Sequence, residues 1–172
     1  MQLFSFPPIS YPSAEILILG TMPGAKSLQL NQYYGHGGNH FWKIIFDVFN
    51  EAPTKDYERR KAILIERGLA LWDVLKACER EGSADSAIEA GEPNDFGEFI
   101  GRHPQIRLVA FNGKNAAAFF QQHVTHKLYL PSVVLPSTSS ANGWLTYRQK
   151  LEEWRKIVLG GFKANHKQGG PK

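Results

Sequence analysis

The chain has 172 residues, of which 42% are hydrophobic and 12% aromatic, enough to bury a real core and to exclude disordered and fibrous classes. No apolar run approaches the roughly 20 residues that cross a bilayer, and residues 1–10 carry neither the basic nor the long apolar segment of a leader, so a soluble, cytoplasmic protein without membrane contacts is expected. Cys78 is the only thiol, which rules out an internal disulfide, a CxxC zinc site and a four-cysteine cluster, while the net charge of +4 says little, because Lys163, Lys167 and Lys172 lie in an acid-free tail.

Residues 15–19, Glu-Ile-Leu-Ile-Leu, form a short continuous apolar run stopped by Gly20, the pattern of a strand buried on both faces. A long loop from Thr21 to Gly38 follows. Phe41, Ile44, Ile45, Val48 and Phe49 then recur at helical spacing, and a more charged helical pattern covers 57–67 beyond Pro53. A second apolar run at 69–74 leads into a polar stretch, helical or irregular, up to Ala90, with another helical pattern at 95–101. Residues 106–111 read as a third strand, ended by Asn112-Gly113 and followed by an alanine-rich helix over 114–123. A fourth strand at 132–135, a polar loop at 136–143 and an amphipathic helix at 146–159 complete the pattern, and the tail from Gly160 reads as flexible.

Strands alternating with helices predict a single α/β domain over residues 1–160: a three-layer α/β/α sandwich around a central, mostly parallel four-stranded sheet, with 161–172 as a basic tail. In such sheets ligands bind where loops leave the carboxyl ends of the strands, which are 20–39, 112–113 and 136–143 here. Chemistry is to be sought in those loops.

The first, Gly20-Thr21-Met22-Pro23-Gly24, fixes a tight path after a strand and can aim amides at an anion or simply turn the chain; it is neither a Walker loop nor GxGxxG. Its continuation, Tyr33-Tyr34-Gly35-His36-Gly37-Gly38-Asn39-His40-Phe41-Trp42, brings amide, imidazole and aromatic groups together, the equipment for a planar nucleobase, although Trp42 and Phe41 also suit a core. His36 and His40 lie four apart, but the glycines between them oppose a helix and no third ligand is evident, so no metal and no cofactor is expected. Asn112 either reaches a ligand or caps the helix after it, and Pro136-Ser137-Thr138-Ser139-Ser140 offers phosphate contacts or an ordinary polar loop.

Taken in order, these segments resemble the uracil-DNA glycosylase superfamily. Gly20-Thr21-Met22-Pro23-Gly24 is similar to its GxxPG motif, Leu135-Pro136-Ser137-Thr138-Ser139-Ser140 to its xPSxxS motif, Asn39-His40-Phe41-Trp42-Lys43 to the NRFWK stretch of the mismatch-specific branch, and Leu71-Trp72-Asp73-Val74 to a shared core stretch. Met22 and Leu135 stand where other branches place catalytic asparagine or histidine, and the cluster-bearing branches need four cysteines. What is matched from Gly20 to Trp42 is the hypoxanthine-DNA glycosylase pattern GxxPGxxSLxxxQYYxHxxNxFW, whose last asparagine is Asn39.

The resemblance implies a monofunctional DNA glycosylase acting on a deaminated base, hypoxanthine first and uracil or a mismatch as alternatives; a catalytically inactive relative that binds nucleic acid is the rival from another class. It implies Asn39 as catalytic residue, Thr21, Met22, Phe41 and Asn112 around the base, and Ser27, Ser137, Thr138, Ser139 and Ser140 on the flanking phosphates, with DNA as partner and a monomer as working unit.

Overall fold

A computed structural model describes residues 1–125 and 128–165. In chain order its elements are β1 (Gln2–Phe4), β2 (Ile16–Gly20), α1 (Ala25–Leu30), α2 (Phe41–Phe49), α3 (Tyr57–Glu66), β3 (Leu69–Asp73), β4 (Leu75–Glu79), a 3-10 turn (Asp85–Ala87), β5 (Glu89–Pro93), α4 (Phe96–Arg102), β6 (Leu108–Asn112), α5 (Lys114–His123), β7 (Ser132–Leu135) and α6 (Tyr147–Asn165). The four apolar runs read as strands are β2, β3, β6 and β7. They form one sheet in the order β3-β2-β6-β7, with every neighbouring pair parallel.

Both faces of this sheet are covered, which is why β2 can be apolar at every position before Gly20. Alternate residues Ile16, Ile18, Leu69, Leu71 and Ala110 pack with Phe41, Ile44 and Ile45 of α2, Ile63 and Leu64 of α3 and Trp154 of α6. Residues of opposite parity, Leu17, Leu19, Ala70, Val109 and Phe111, pack with Phe96 and Phe99 of α4 and Ala116 of α5. The α/β/α layering expected from the strand and helix order is therefore the architecture that forms. Its helices start on local signals as well as on packing: the Asp56 side chain accepts from the N–H groups of Glu58 and Arg59 at 3.1 and 3.4 Å at the head of α3.

The polar stretch before Ala90 is not helical. β4 pairs antiparallel with both β1 and β5 in a second, three-stranded sheet, with only a 3-10 turn between β4 and β5. β5 is Glu-Ala-Gly-Glu-Pro, which has neither β-branched nor aromatic residues, so it is a strand because β4 supplies its hydrogen bonds and not through its own propensity. Two further differences concern helices. The first loop contains the short helix α1, and α6 runs through Gly160 and Gly161 to Asn165, past the end expected at Leu159. Residues 166–172, the rest of the expected tail, lie outside the described residues.

Candidate active site at the carboxyl end of the sheet

Three strands end abreast. Gly20 lies opposite Asp73 in the β2–β3 register, and Leu19 opposite Phe111 places Asn112 beside Gly20 on the other side. Since side chains alternate, Asp73, Gly20 and Asn112 continue the face of Leu71, Ile18 and Ala110, the face covered by α2 and α6. Gly20 leaves a gap between two polar side chains. A Cβ there would sit 2.6 Å from Asp73 Oδ1 and 2.9 Å from the Tyr34 hydroxyl, so this position requires glycine for the close approach of those two groups.

Asn112 ties the loops together. Its Nδ2 donates to the Tyr34 hydroxyl and to Thr138 Oγ1, both at 2.9 Å, and its Oδ1 accepts from the Thr138 N–H at 3.0 Å. Both amide hydrogens are engaged, and the side chain does not cap α5, whose N-cap is Gly113 without a side-chain bond. Thr138 is wholly buried and its carbonyl accepts from the His40 N–H at 2.9 Å, which draws the 36–40 segment against the 137–140 loop. Asn39 sits half-buried at this junction. Its Oδ1 accepts from the Phe41 N–H at 2.9 Å, relieving an orphan donor at the start of α2, while Nδ2 has no hydrogen bond among the described residues.

Phe41 has no accessible surface: Tyr34 stacks on it with ring centroids 4.3 Å apart, and Trp42 and Trp154 meet it edge-on. Tyr34 itself is half-buried and has a left-handed φ of 52°. Ser27 is also buried, its hydroxyl accepting from the Gly35 N–H at 3.0 Å, so it holds the aromatic loop and presents nothing outward. In the last loop, Ser137 and Ser139 accept from the N–H groups of Ser139 and Ala141, both at 3.2 Å, Ser140 is exposed, and the buried Lys150 ammonium donates to the Ser139 carbonyl at 3.3 Å. Positive charge thus lies directly beneath the loop assigned to phosphates.

Thr21 and Met22 are nearly buried, and the chain after β4 closes over their loop: Arg80 Nη2 donates to the Pro23 carbonyl at 2.5 Å and the Ser83 hydroxyl accepts from the Ala25 N–H at 2.8 Å. Burial pushes the Asp85 carboxyl up, with the nearby Thr21 hydroxyl opposing the shift. Beyond it opens a cavity of about 340 Å³ lined by Asp85, Ile88, Asn115, Phe119 and His123. Neither this cavity nor the covering loop is legible without the second sheet.

Among the groups missed in sequence, Asp73 is the most unusual. It retains 4% exposure, its Oδ2 finds no hydrogen-bond partner among the described residues, and burial, with the Asp85 charge adding and Arg80 opposing, pushes its carboxyl up to about 7. The available signal was an acid closing an apolar strand at the carboxyl end of a parallel sheet. His40 is shifted the other way, downward, by burial and by the Lys150 and Lys43 charges.

The family profile of the Uracil DNA glycosylase superfamily matches residues 7–158, which includes every element from β2 to β7 and most of α6. The chain belongs to this superfamily. Two relatives named hypoxanthine DNA glycosylase are each 36% identical to it: one from Methanosarcina barkeri, over 83% of this chain and 89% of its own length, the other from Methanosarcina acetivorans, over 88% and 95%. A solution NMR structure from M. acetivorans, described as a candidate uracil DNA glycosylase, superposes with a TM-score of 0.78 at 34% identity, covering 93% of this chain and 98% of that one. The order of the superfamily motifs on the sequence is therefore matched by their convergence in space: 20–24, 39–42 and 135–140 meet around Asn112.

Proposed function

We propose that this superfamily member is a monofunctional DNA glycosylase that takes a deaminated base, hypoxanthine, out of the stack and hydrolyses its N-glycosidic bond, leaving an abasic site. The observation that carries the reading is Asn39: an amide fixed through its oxygen to the head of α2, with its NH2 uncommitted among the described residues, at the junction of the superfamily motifs. The two similar proteins named hypoxanthine DNA glycosylase support the choice of base.

Cleavage passes through a sugar with oxocarbenium character, so rate is gained by placing a water against the anomeric carbon and by stabilising the departing base. Asn39 orients the water; being neutral, it cannot serve as a strong base, and the developing sugar cation supplies the electrophile. The Tyr34–Phe41 stack offers an aromatic floor, with Tyr34 as its outer ring. Asn112 contributes by holding Tyr34 and Thr138 in place. Ser137, Ser139 and Ser140, backed by Lys150, face the flanking phosphates. With no amine assigned as nucleophile, no strand cleavage accompanies base loss. The working unit is a monomer in the cytoplasm, with DNA as its partner.

The test is incubation with duplexes carrying one inosine, uracil or xanthine, followed by alkali. Alkali-dependent breaks at inosine, without breaks before alkali, are expected. Release confined to uracil would move the substrate, and no release from any duplex would leave only a nucleic-acid-binding relative.

A further inference from the structure

We propose that Arg80 is a positioning residue for base release: it fixes the 20–24 loop from behind and sets there an unpaired positive charge, against which the negative charge of the departing base develops. The inference rests on the glycosylase reading above, in which that loop lies around the base, and goes beyond it by assigning a residue outside the four motif segments. Arg80 follows β4 directly and is only 7% exposed. Its Nη2 donates to the Pro23 carbonyl at 2.5 Å, whereas Nε and Nη1 are buried with no hydrogen-bond partner among the described residues. The charge of Arg80 opposes the upward shift that burial gives the Asp73 and Asp85 carboxyls, yet neither carboxyl takes up those two nitrogens. A guanidinium held dry with donors unmatched costs free energy, and the fold keeps it against the first motif loop.

The contact also decides how the loop faces. The Gly20 and Thr21 carbonyls accept from the Val74 and Leu75 N–H groups at 2.8 and 3.1 Å, and Arg80 takes the Pro23 carbonyl. In a planar trans peptide the N–H points opposite to the C=O, so fixing these three carbonyls fixes the N–H groups of Thr21, Met22 and Gly24 on the other side of their peptide planes. Backbone strands hold the first two, and a side chain holds the third. When the glycosidic bond breaks, its electron pair stays on the base; the water adds to the anomeric carbon and gives up a proton, and the base takes up a proton as it leaves. Oriented amides backed by a buried cation stabilise the stage at which that electron pair sits on the base.

The experiment measures single-turnover release from duplexes carrying inosine or 8-azainosine, whose base has nearly the same shape and is the more acidic leaving group. The natural chain is compared with Arg80→Gln and Arg80→Lys, with thermal melts and duplex binding in parallel. Arg80→Gln removes the charge and leaves an amide donor; it is expected to slow inosine release at least about tenfold, 8-azainosine release less than about threefold, and to leave duplex binding unchanged. Arg80→Lys keeps the charge, so it retains most of the inosine rate near neutrality and then falls more steeply than the natural chain from about pH 7 to 10, because a buried ammonium loses its proton where a guanidinium does not. Equal slowing of both bases by Arg80→Gln is what a merely structural role gives, and it overturns the role of Arg80, as do wild-type rates in both variants. If Arg80→Gln shows no cooperative melt, an Arg80→Lys pH profile parallel to that of the natural chain overturns it instead. A natural chain that releases neither base overturns the glycosylase reading and this inference with it.

Discussion

Substituting Asn39 separates a structural from a catalytic contribution, because the two halves of its amide do different things. Oδ1, one residue before the N-cap His40, accepts from the Phe41 N–H at 2.9 Å, whereas Nδ2 is uncommitted among the described residues. Asn39→Ala loses both, and the lost hydrogen bond to the Phe41 N–H alone costs roughly 0.5–1.5 kcal/mol. In a protein of 172 residues that corresponds to a melting temperature lower by about 2–4 °C for each kcal/mol. Asn39→Ser and Asn39→Asp restore an oxygen that can accept from the N–H two residues on, as serine, aspartate and asparagine all do in local turns, so their stability is expected closer to the natural chain than that of Asn39→Ala. Neither restores an amide to hold water. Base release from an inosine duplex in Asn39→Ser is expected to slow by at least about a hundredfold, or about 2.7 kcal/mol of transition-state stabilisation, the scale of one preorganised catalytic contact. Asn39→Asp should remain partly active with an altered pH profile, since a carboxylate activates water but repels the leaving anion. Thermal melts, duplex binding and single-turnover release measured in parallel decide the matter. Wild-type release by Asn39→Ser would refute the assignment and move the catalytic group elsewhere in the 36–40 segment.

Gly20→Ala should destabilise the fold by about 1–3 kcal/mol, measured by urea denaturation, because its Cβ would meet Asp73 Oδ1 at 2.6 Å and the Tyr34 hydroxyl at 2.9 Å; an unchanged midpoint would mean that the two groups part easily. Burial raises the Asp73 pKa above its unfolded value to about 7, so the folded state binds the proton more tightly and this residue lowers stability as pH rises from about 4 through 7. Asp73→Asn should remove that decline, by an amount on the order of a few kcal/mol, and parallel stability curves for the two proteins across that range would show the group to be ordinary. Removing residues 166–172 deletes Lys167 and Lys172, and should lower the salt slope of DNA binding by up to about 1.8 if both meet phosphates; an unchanged slope means that neither does.

The parallel sheet was legible because a strand covered on both faces must be apolar at nearly every position, and 15–19, 69–74 and 106–111 announce that without help from the rest of the chain. The three-stranded sheet was not. β5 carries charges and a proline and becomes a strand only when β4 lies beside it, which is a non-local hydrogen-bonding event that no window of sequence records. Helices α2 and α5 follow their periodicity to the residue, whereas α6 passes two glycines that propensity would use to end it.

For the site, sequence placed the polar and aromatic residues on loops at the carboxyl ends of three strands, since parallel connections leave no other end for them to gather. It could not apportion their atoms. Asn112 looks like a ligand group in the chain and proves to be the tie between Tyr34 and Thr138. Phe41 looks like a stacking ring and is sealed beneath Tyr34, while Asp73 looks like the end of a core strand and emerges with an unpartnered oxygen. Composition and periodicity depend on each residue's own side chain, so they survive in a linear reading; which hydrogens are already engaged, which rings are covered and which carboxyl is left neutral depend on neighbours far apart in the chain, and only the packed structure brings those neighbours within reach.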